Sequence, residues 1–269
     1  MLLVVKIGGS ILKNEIWPRL VSDIKSVLSR NKVVLVHGGG IEVTEIASKL
    51  GKEQKFVFSP EGFSSRYTDK DTVEIYTMVM AGKINKQIVL ALESQGISAI
   101  GLCGLDGLLL RAERKKRLVI VDERGRKKVV DGGYTGKISE ANTHLLRFLL
   151  ESDYMPVIAP VAISEEFEPL NVDGDRTAAY IAGALNADRL ILLTDVEGLT
   201  LGSMLVSKLN VLEVKKTLPK IGPGMITKVY AAMEALNKGV GEVLISSGLE
   251  RLPISSALNH KCGTVISRE

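Results

Sequence analysis

Two glycine-rich stretches each follow a short apolar run. Lys6-Ile7-Gly8-Gly9-Ser10 closes the run that begins at Leu2, and His37-Gly38-Gly39-Gly40 follows Val33–Val36. Glycine lets backbone N–H groups come close to an oxyanion, and a helix that follows aims its positive end at the same place. One such turn is often only structural. A pair, each at the carboxyl end of a strand, points to ligand binding along that edge of an open α/β sheet. Neither matches G-x-x-x-x-G-K-S/T or G-x-G-x-x-G, so the common nucleotide fingerprints are absent. Lys6 sits one residue from the end of its run, where an ammonium group is costly to bury without a partner. Alone it could snorkel to solvent; beside Gly8-Gly9 a phosphate contact is the stronger reading.

Further chemistry-bearing residues follow. Arg66 lies in the polar loop Ser59–Asp69 just ahead of a helical stretch, and a guanidinium there suits bidentate capture of a carboxylate, with a surface salt bridge as the alternative. Asn171-Val172-Asp173-Gly174-Asp175-Arg176 looks like half of a calcium loop, but the twelfth position is Ala182 rather than Glu, which excludes an EF-hand. An Asn and an Asp at the head of a helix can instead cap it and orient neighbouring cations; capping alone would account for Asp173. Thr194-Asp195-Val196-Glu197-Gly198-Leu199 follows the apolar run Leu190–Leu193 and reads as a sheet-edge segment or a plain turn. Gly222-Pro223-Gly224-Met225 leads into a helix carrying Lys228 in its first turn. A cation is disfavoured there by the helix dipole unless it serves an anion.

The elements that must position these residues alternate along the chain. Strands are expected at Leu2–Ile7, Val33–Val36, Pro156–Ala159, Leu190–Leu193, Glu242–Ile245 and Thr264–Ile266. Helical spacing recurs over Trp17–Leu28, Ile41–Leu50, Asp71–Leu92, Arg176–Leu185 and Ile226–Asn237. Short β-branched runs with glycine turns and helical crossovers predict an α/β fold, a three-layer αβα sandwich around a mainly parallel open sheet. Residues 108–137 break the rhythm: Leu118–Val121 and Lys128–Val130 flank Asp122-Glu123-Arg124-Gly125-Arg126, a β-hairpin signal on an exposed projection.

The net charge of +4 is unevenly spread. Residues 111–128 carry nine Lys or Arg against three acids, so this segment holds +6 and the remainder −2. No apolar run approaches the roughly 18–20 residues that span a bilayer, and the N-terminal run is too short and wrongly flanked for a secretory signal. Cys103 and Cys262 lack metal-ligand or redox spacing and read as two reduced thiols. These features point to a cytoplasmic protein without a membrane partner.

Taken in order, Lys6-x-Gly8-Gly9-Ser10, His37-Gly38-Gly39-Gly40, Gly62…Arg66-x-Thr68-Asp69, Gly82-Lys83-x-Asn85-Lys86, Asn171…Asp175, Thr194-Asp195-Val196-x-Gly198 and Gly224-Met225-x-x-Lys228 resemble the amino acid kinase family. They follow its N-acetylglutamate kinase branch over essentially the whole chain. Each is weak alone; seven in the right order are specific. The resemblance implies a carbamate kinase-like fold in one domain, 1–269, with an acid substrate held by a lobe of about 1–170 and ATP by a lobe of about 171–269. It implies that Lys6 and Lys228 stabilise the transferring phosphoryl group, that Asp175 holds those lysines, and that Gly9 donates a backbone N–H. Gly39, Gly40, Arg66 and Asn171 would bind the substrate; Thr194, Asp195, Gly198, Leu199, Ile221, Gly222 and Gly224 would contact the nucleotide. Mg2+ would be held through the ATP phosphates with no dedicated protein site, and the assembly would be a homodimer. His37 is expected to be structural, because an ionised carboxylate nucleophile needs no general base.

Three departures stand out. The branch pattern N-x-N-A-D is Asn171-Val172-Asp173-Gly174-Asp175 here, the loop Ser59–Asp69 is more polar, and the +6 hairpin is not needed for a small acylated amino acid. These features resemble the kinases of lysine and arginine biosynthesis that act on aminoadipate or glutamate carried through the amino group on a small acidic protein, LysW. That likeness makes Lys115, Lys116, Arg117, Arg124, Arg126, Lys127 and Lys128 a carrier-docking surface, suited to steering and orienting an acidic partner. Kinase action on free N-acetylglutamate is the alternative. A non-enzymatic nucleic-acid-binding or regulatory role for the basic hairpin is the third reading; its lack of interleaved aromatics speaks against base stacking.

Overall fold

The computed structural model describes residues 1–13, 17–60 and 62–269; Glu61, within the polar loop Ser59–Asp69, lies outside them. An eight-stranded sheet runs from edge to edge as Lys208–Asn210, Thr264–Ser267, Glu242–Ser247, Arg189–Thr194, Leu2–Ile7, Lys32–His37, Met155–Ala159 and Ala99–Cys103. Every neighbouring pair is parallel except Glu242–Ser247 with Thr264–Ser267. The mainly parallel αβα architecture expected from the sequence is the one observed.

The reason is visible in the alternation of the central strands. Leu3, Val5, Ile7, Val33, Leu35, Ile191 and Leu193 enter one core, while Val4, Val34, Val36, Leu190 and Leu192 enter the other. A strand buried on both faces needs a continuous apolar run rather than polar alternation. The first core is covered by Trp17–Leu28, Gly40–Lys49, the helical stretch 70–93 and Pro253–Leu258. The second is covered by His144–Glu151, Gly174–Leu185 and Met225–Asn237. Ala178, Ala179 and Ala182 face Ala231, Ala232 and Ala235 within that second core, so small side chains let these two helices approach closely. The Arg176 Nε–H donates to Glu234 Oε2 at 2.9 Å and fixes their mutual register.

Lys6 occupies an even-numbered strand position and therefore points into the second layer, towards the head of Gly174–Leu185; a Cβ on Gly174 would lie 3.4 Å from Lys6 Cε. The two glycine turns pack against each other. A Cβ on Gly9 would sit 2.7 Å from the Gly39 nitrogen, and one on Gly38 would sit 2.8 Å from the Gly9 nitrogen. Gly39 adopts φ +151°, and any side chain there would also collide with Ile84. Glycine is thus required sterically where the two turns meet.

The helix expected over Asp71–Leu92 is helical throughout but not uniform. Lys70–Thr77 and Asn85–Glu93 are α-helical, and Met78–Ile84 between them is a wider π-helical segment, a form that often marks functional sites. It brings Met80 and Ile84 onto Gly39 and delivers Asn85 to the sheet edge. Asn85 Nδ2 donates to the Val157 carbonyl at 2.9 Å and faces His37 Nε2 at 3.2 Å, while His37 Nδ1 lies 2.9 Å from the Gly38 carbonyl. That pairing requires a neutral ring with the proton on Nδ1.

Residues 108–137 divide between two small sheets instead of forming one projection. Leu110–Arg114 pairs with Gly136–Ala141 in a sheet completed by Val161–Ile163 and Pro169–Asn171. Burial of Leu109, Leu110 and Ala112 in the second core draws this half inward. Only Arg117–Val121 and Lys127–Asp131 form the expected hairpin, and they extend a second small sheet with Phe56–Phe58 and Ser64–Arg66. The strands Ala99–Cys103 and Lys208–Asn210 were not apparent in the sequence; Gly101 and short length hide their pattern.

Burial of His37, helped by the Lys6 charge and opposed by the hydrogen bond to the Gly38 carbonyl, pushes its imidazole down to about 4. The unfolded chain, with an ordinary histidine near 6.5, binds a proton in a window where the fold does not. Stability should therefore fall as pH drops from about 6.5 towards 4, by roughly 3 kcal/mol at most from this residue. Denaturant unfolding across that range in the native chain and in His37→Gln should show the slope reduced in the variant; an equal slope would remove His37 as its source.

Candidate active site

A cavity of about 300 Å³ opens at the carboxyl edge of the sheet. Lys6, Gly39, Gly40, Arg66 and Asn171, all singled out in the sequence, line it together. The carboxyl-edge position follows from register: Ile7 lies beside His37 and Leu193, so three strand ends and the two glycine turns converge. The helices beginning at Gly40 and Gly174 start at this cavity, so their positive ends favour a bound anion.

Asp175 links the cavity to the C-terminal half. Lys6 Nζ lies 2.6 Å from Asp175 Oδ1, and Lys228 Nζ donates to Oδ2 at 3.0 Å. Their side chains are only 8%, 5% and 14% exposed for Lys6, Asp175 and Lys228. Burial opposes ionisation of Asp175, but the two ammonium groups outweigh it and hold its carboxyl below the ordinary range. One carboxylate thus serves two cations, leaving a net positive charge at the junction. Asp173 caps the same helix, accepting from the Arg176 N–H at 2.9 Å.

Arg66 ends the strand Ser64–Arg66 and is 7% exposed. Its guanidinium donates to the Gly40 carbonyl at 2.7 Å and Thr44 Oγ1 at 2.9 Å, contacts Gln54, and stacks 4.9 Å from the Phe56 ring centroid. Among the described residues no carboxylate pairs with it, so a buried cation is oriented by neutral groups only. Asn171 Nδ2 donates to Thr68 Oγ1 at 3.0 Å on the opposite side. Thr135, also in the wall, has a buried Oγ1 with no hydrogen-bond partner among the described residues. No spacing signal in the sequence marks Thr135.

The segments expected to meet a nucleotide lie along the C-terminal part of the same edge. Thr194 ends the strand beside Leu2–Ile7 and accepts the Gly248 N–H on its carbonyl at 2.7 Å, while Asp195 is exposed. Gly198 packs against Thr264, and the Leu199 N–H donates to Thr264 Oγ1 at 2.8 Å. The side chains of Leu199 and Ile221 turn into the second core, which leaves backbone groups there and the exposed Gly222 and Gly224 to face a ligand.

The seven basic residues expected to dock a carrier are not equivalent. Lys116, Arg117, Arg124 and Lys127 are exposed on the hairpin. Arg126 and Lys128 are exposed too, but both pair with Asp122, at 3.0 and 3.3 Å. Lys115 is half-buried and lines the cavity itself.

Among the described residues no helix is long and apolar enough to cross a membrane, and no cluster of three His, Cys, Asp or Glu is placed to hold a metal. The sequence matches the family described as "Amino acid kinase family" over residues 1–247. A protein of Nitrosopumilus maritimus (strain SCM1) is 52% identical over 268 residues, covering all of both chains. LysW-aminoadipate/LysW-glutamate kinases of Sulfolobus acidocaldarius and Saccharolobus solfataricus are 48% and 46% identical, each covering 98% or more of both chains. Among solved structures, smu.665 from Streptococcus mutans aligns with a TM-score of 0.81 at 25% identity, covering 100% of this chain and 99% of that one. Carbamate kinase from Giardia lamblia aligns over the whole chain, and 99% of its own, with a TM-score of 0.69 at 17% identity, a likeness of fold. A family match over most of the chain and full-length relatives at this identity agree: the chain belongs to the amino acid kinase family.

Proposed function

We propose that the chain is an ATP-dependent kinase that phosphorylates the side-chain carboxylate of L-2-aminoadipate or L-glutamate carried through its amino group on a small acidic carrier protein. The observation that carries the chemistry is the Lys6–Asp175–Lys228 bridge beside a cavity holding the unpaired Arg66. The substrate and carrier follow the names of the two relatives at 46% and 48% identity, which favour this reading over free N-acetylglutamate.

In this reading Arg66, Asn171 and the Gly39-Gly40 turn hold the amino acid in the N-terminal lobe, and the Thr194–Leu199 and Ile221–Gly224 segments contact ATP in the C-terminal lobe. A carboxylate oxygen attacks the terminal phosphorus of ATP, the bond to the bridging oxygen breaks, and ADP leaves with that electron pair. The products are an acyl phosphate and ADP, and no proton has to be moved. Such a loose transition state asks for positioning and charge neutralisation. Lys6 approaches from the acid side and Lys228 from the nucleotide side. Asp175 keeps both ammonium groups aimed at one point, and the Gly9 N–H is free to meet an equatorial oxygen. Mg2+ on the ATP phosphates would offset their charge; the residues fit an ion carried by the nucleotide, because Asp175 is already shared by two lysines. A cytoplasmic site of action suits ATP use and the two free cysteines, and the family resemblance makes a homodimer the expected assembly.

Lys228→Ala should lower kcat by about 100-fold or more while changing ATP affinity little, because its charge acts on the group in flight. Steady-state kinetics with isothermal titration of ATP checks this, and near-normal turnover would sink the assignment. Asp175→Asn leaves two buried ammonium groups without a counter-charge, and should cost about 3–5 kcal/mol of stability as well as activity; denaturant unfolding reads the first effect independently of the second.

Carrier docking should depend on the exposed, unpaired cations. Reversing Lys116, Arg117, Arg124 and Lys127 to Glu should raise KM for carrier-linked substrate about tenfold or more and remove its salt dependence. KM for N-acetylaminoadipate should stay as it is. An unchanged KM for the carrier-linked substrate would refute docking at this hairpin.

A further inference from the structure

A groove of about 440 Å³ adjoins the active-site cavity and takes no part in the chemistry derived above. One wall is the small sheet that carries the hairpin. Leu118 and Ile120, two residues apart, share a face of that sheet with Val57. The other wall is the helix Met225–Asn237, where Thr227, Tyr230 and Glu234 lie on one face. Lys228 is turned about 100° from Thr227 on that helix, so it meets Asp175 rather than the groove. The Phe63 and Tyr230 rings, 5.5 Å apart between centroids, tie the two walls together.

Cavity and groove are continuous. Ser64, Ser65, Lys115, Asp173 and Arg176 line both, whereas Lys6 lines only the cavity. Ser64–Arg66 is an edge strand of its sheet, so an extended chain passing from one space to the other would run beside a free backbone edge. At the passage Arg176 is taken by Glu234. Among the described residues no carboxylate pairs with Lys115, which is half-buried there. Burial and the neighbouring charge of Arg176, with a smaller effect of Lys137, outweigh the opposing charge of Asp173 and pull its ammonium below the ordinary range.

We propose that this groove receives the stretch of carrier chain adjoining the point of attachment, with Lys115 meeting a carboxylate of that stretch at the passage. The proposal rests on the carrier-linked reading above. The reacting carboxylate must face Lys6, so the amino end of the substrate faces away from it, and its amide substituent has to leave the cavity. A small acyl group would end inside the cavity. A peptide would continue past Lys115 along the serine edge strand and set apolar side chains against Leu118, Ile120 and Tyr230. The exposed basic hairpin then steers the folded carrier, while the groove measures the tether.

The test compares two compounds: N-acetyl-L-2-aminoadipate, and L-2-aminoadipate acylated on its amino group by a short acidic peptide. In Leu118→Ser and Tyr230→Ala, KM for the peptide-linked compound should rise about tenfold, with KM for the N-acetyl compound within about twofold of the native value. Equal changes for both compounds, or none, overturn the proposal. Hydrogen exchange on the unmodified chain gives an answer independent of variant folding. The peptide-linked compound should slow exchange at residues 62–66 and 117–121 where the N-acetyl compound does not, and identical protection overturns the groove. If the native chain phosphorylates neither compound, nor carrier-linked substrate, the proposed function itself fails. If it phosphorylates the linked compound while the groove variants are indifferent, only the groove assignment fails.

Discussion

A single carboxylate stands between two buried ammonium groups, and the arrangement of the molecule around it follows from that fact. Lys6 and Lys228 would repel each other across a poorly solvated junction; Asp175, within 3.0 Å of both, makes their coexistence tolerable. It does not cancel them. The junction retains a net positive charge, added to by nearby helix N-termini, and that surplus is available to a phosphoryl group. The three residues come from the first strand and from two helices of the C-terminal half, so the ionic bridge also joins the two halves of the chain.

Each partner is placed by packing rather than by local preference. Lys6 points at Asp175 because alternate residues of a strand buried on both faces enter opposite cores. Asp175 and Lys228 meet because alanine stripes let Gly174–Leu185 and Met225–Asn237 lie close, with the Arg176–Glu234 contact holding their register. The glycine turns add a second constraint. Gly9 and Gly38-Gly39 touch backbone to backbone, and the π-helical segment Met78–Ile84 presses Met80 and Ile84 onto them from the other side. His37 and Asn85 complete this support as neutral groups, and burial keeps the imidazole uncharged next to Lys6.

The small sheets divide the remaining work. Arg66, at the end of an edge strand, is a buried guanidinium oriented by neutral acceptors and free of carboxylates among the described residues. The segment 111–128, which runs into the hairpin next to it, carries the excess positive charge of the chain, but Asp122 engages two of those cations, and Lys115 faces inward. What reads as one basic patch is therefore a set of exposed cations outside and one cation at the mouth of the groove.

The sequence alone determined the elements whose signals are local. Short apolar runs marked six strands of the large sheet, the two glycine-rich turns marked its carboxyl edge, and the order of motifs marked the family. Lys6 and Arg66 stood out as charged groups beside glycine turns and a helix start, whereas the expected roles of Asn171, Asp175 and Lys228 came mainly from the order of motifs. That Asp175 holds both lysines followed only from the order of motifs and from no local signal, since the contact joins residues 169 and 53 positions apart and forms only after both helices pack. The sequence could not separate Lys115 from its basic neighbours, reveal the π-helical turn, or find Thr135, because each depends on which side of a packed surface a residue faces. The strands Ala99–Cys103 and Lys208–Asn210 stayed hidden because pairing with neighbours across the sheet, not their own composition, makes them strands. Charge and spacing are written in the chain; partnership and direction are decided by the tertiary fold.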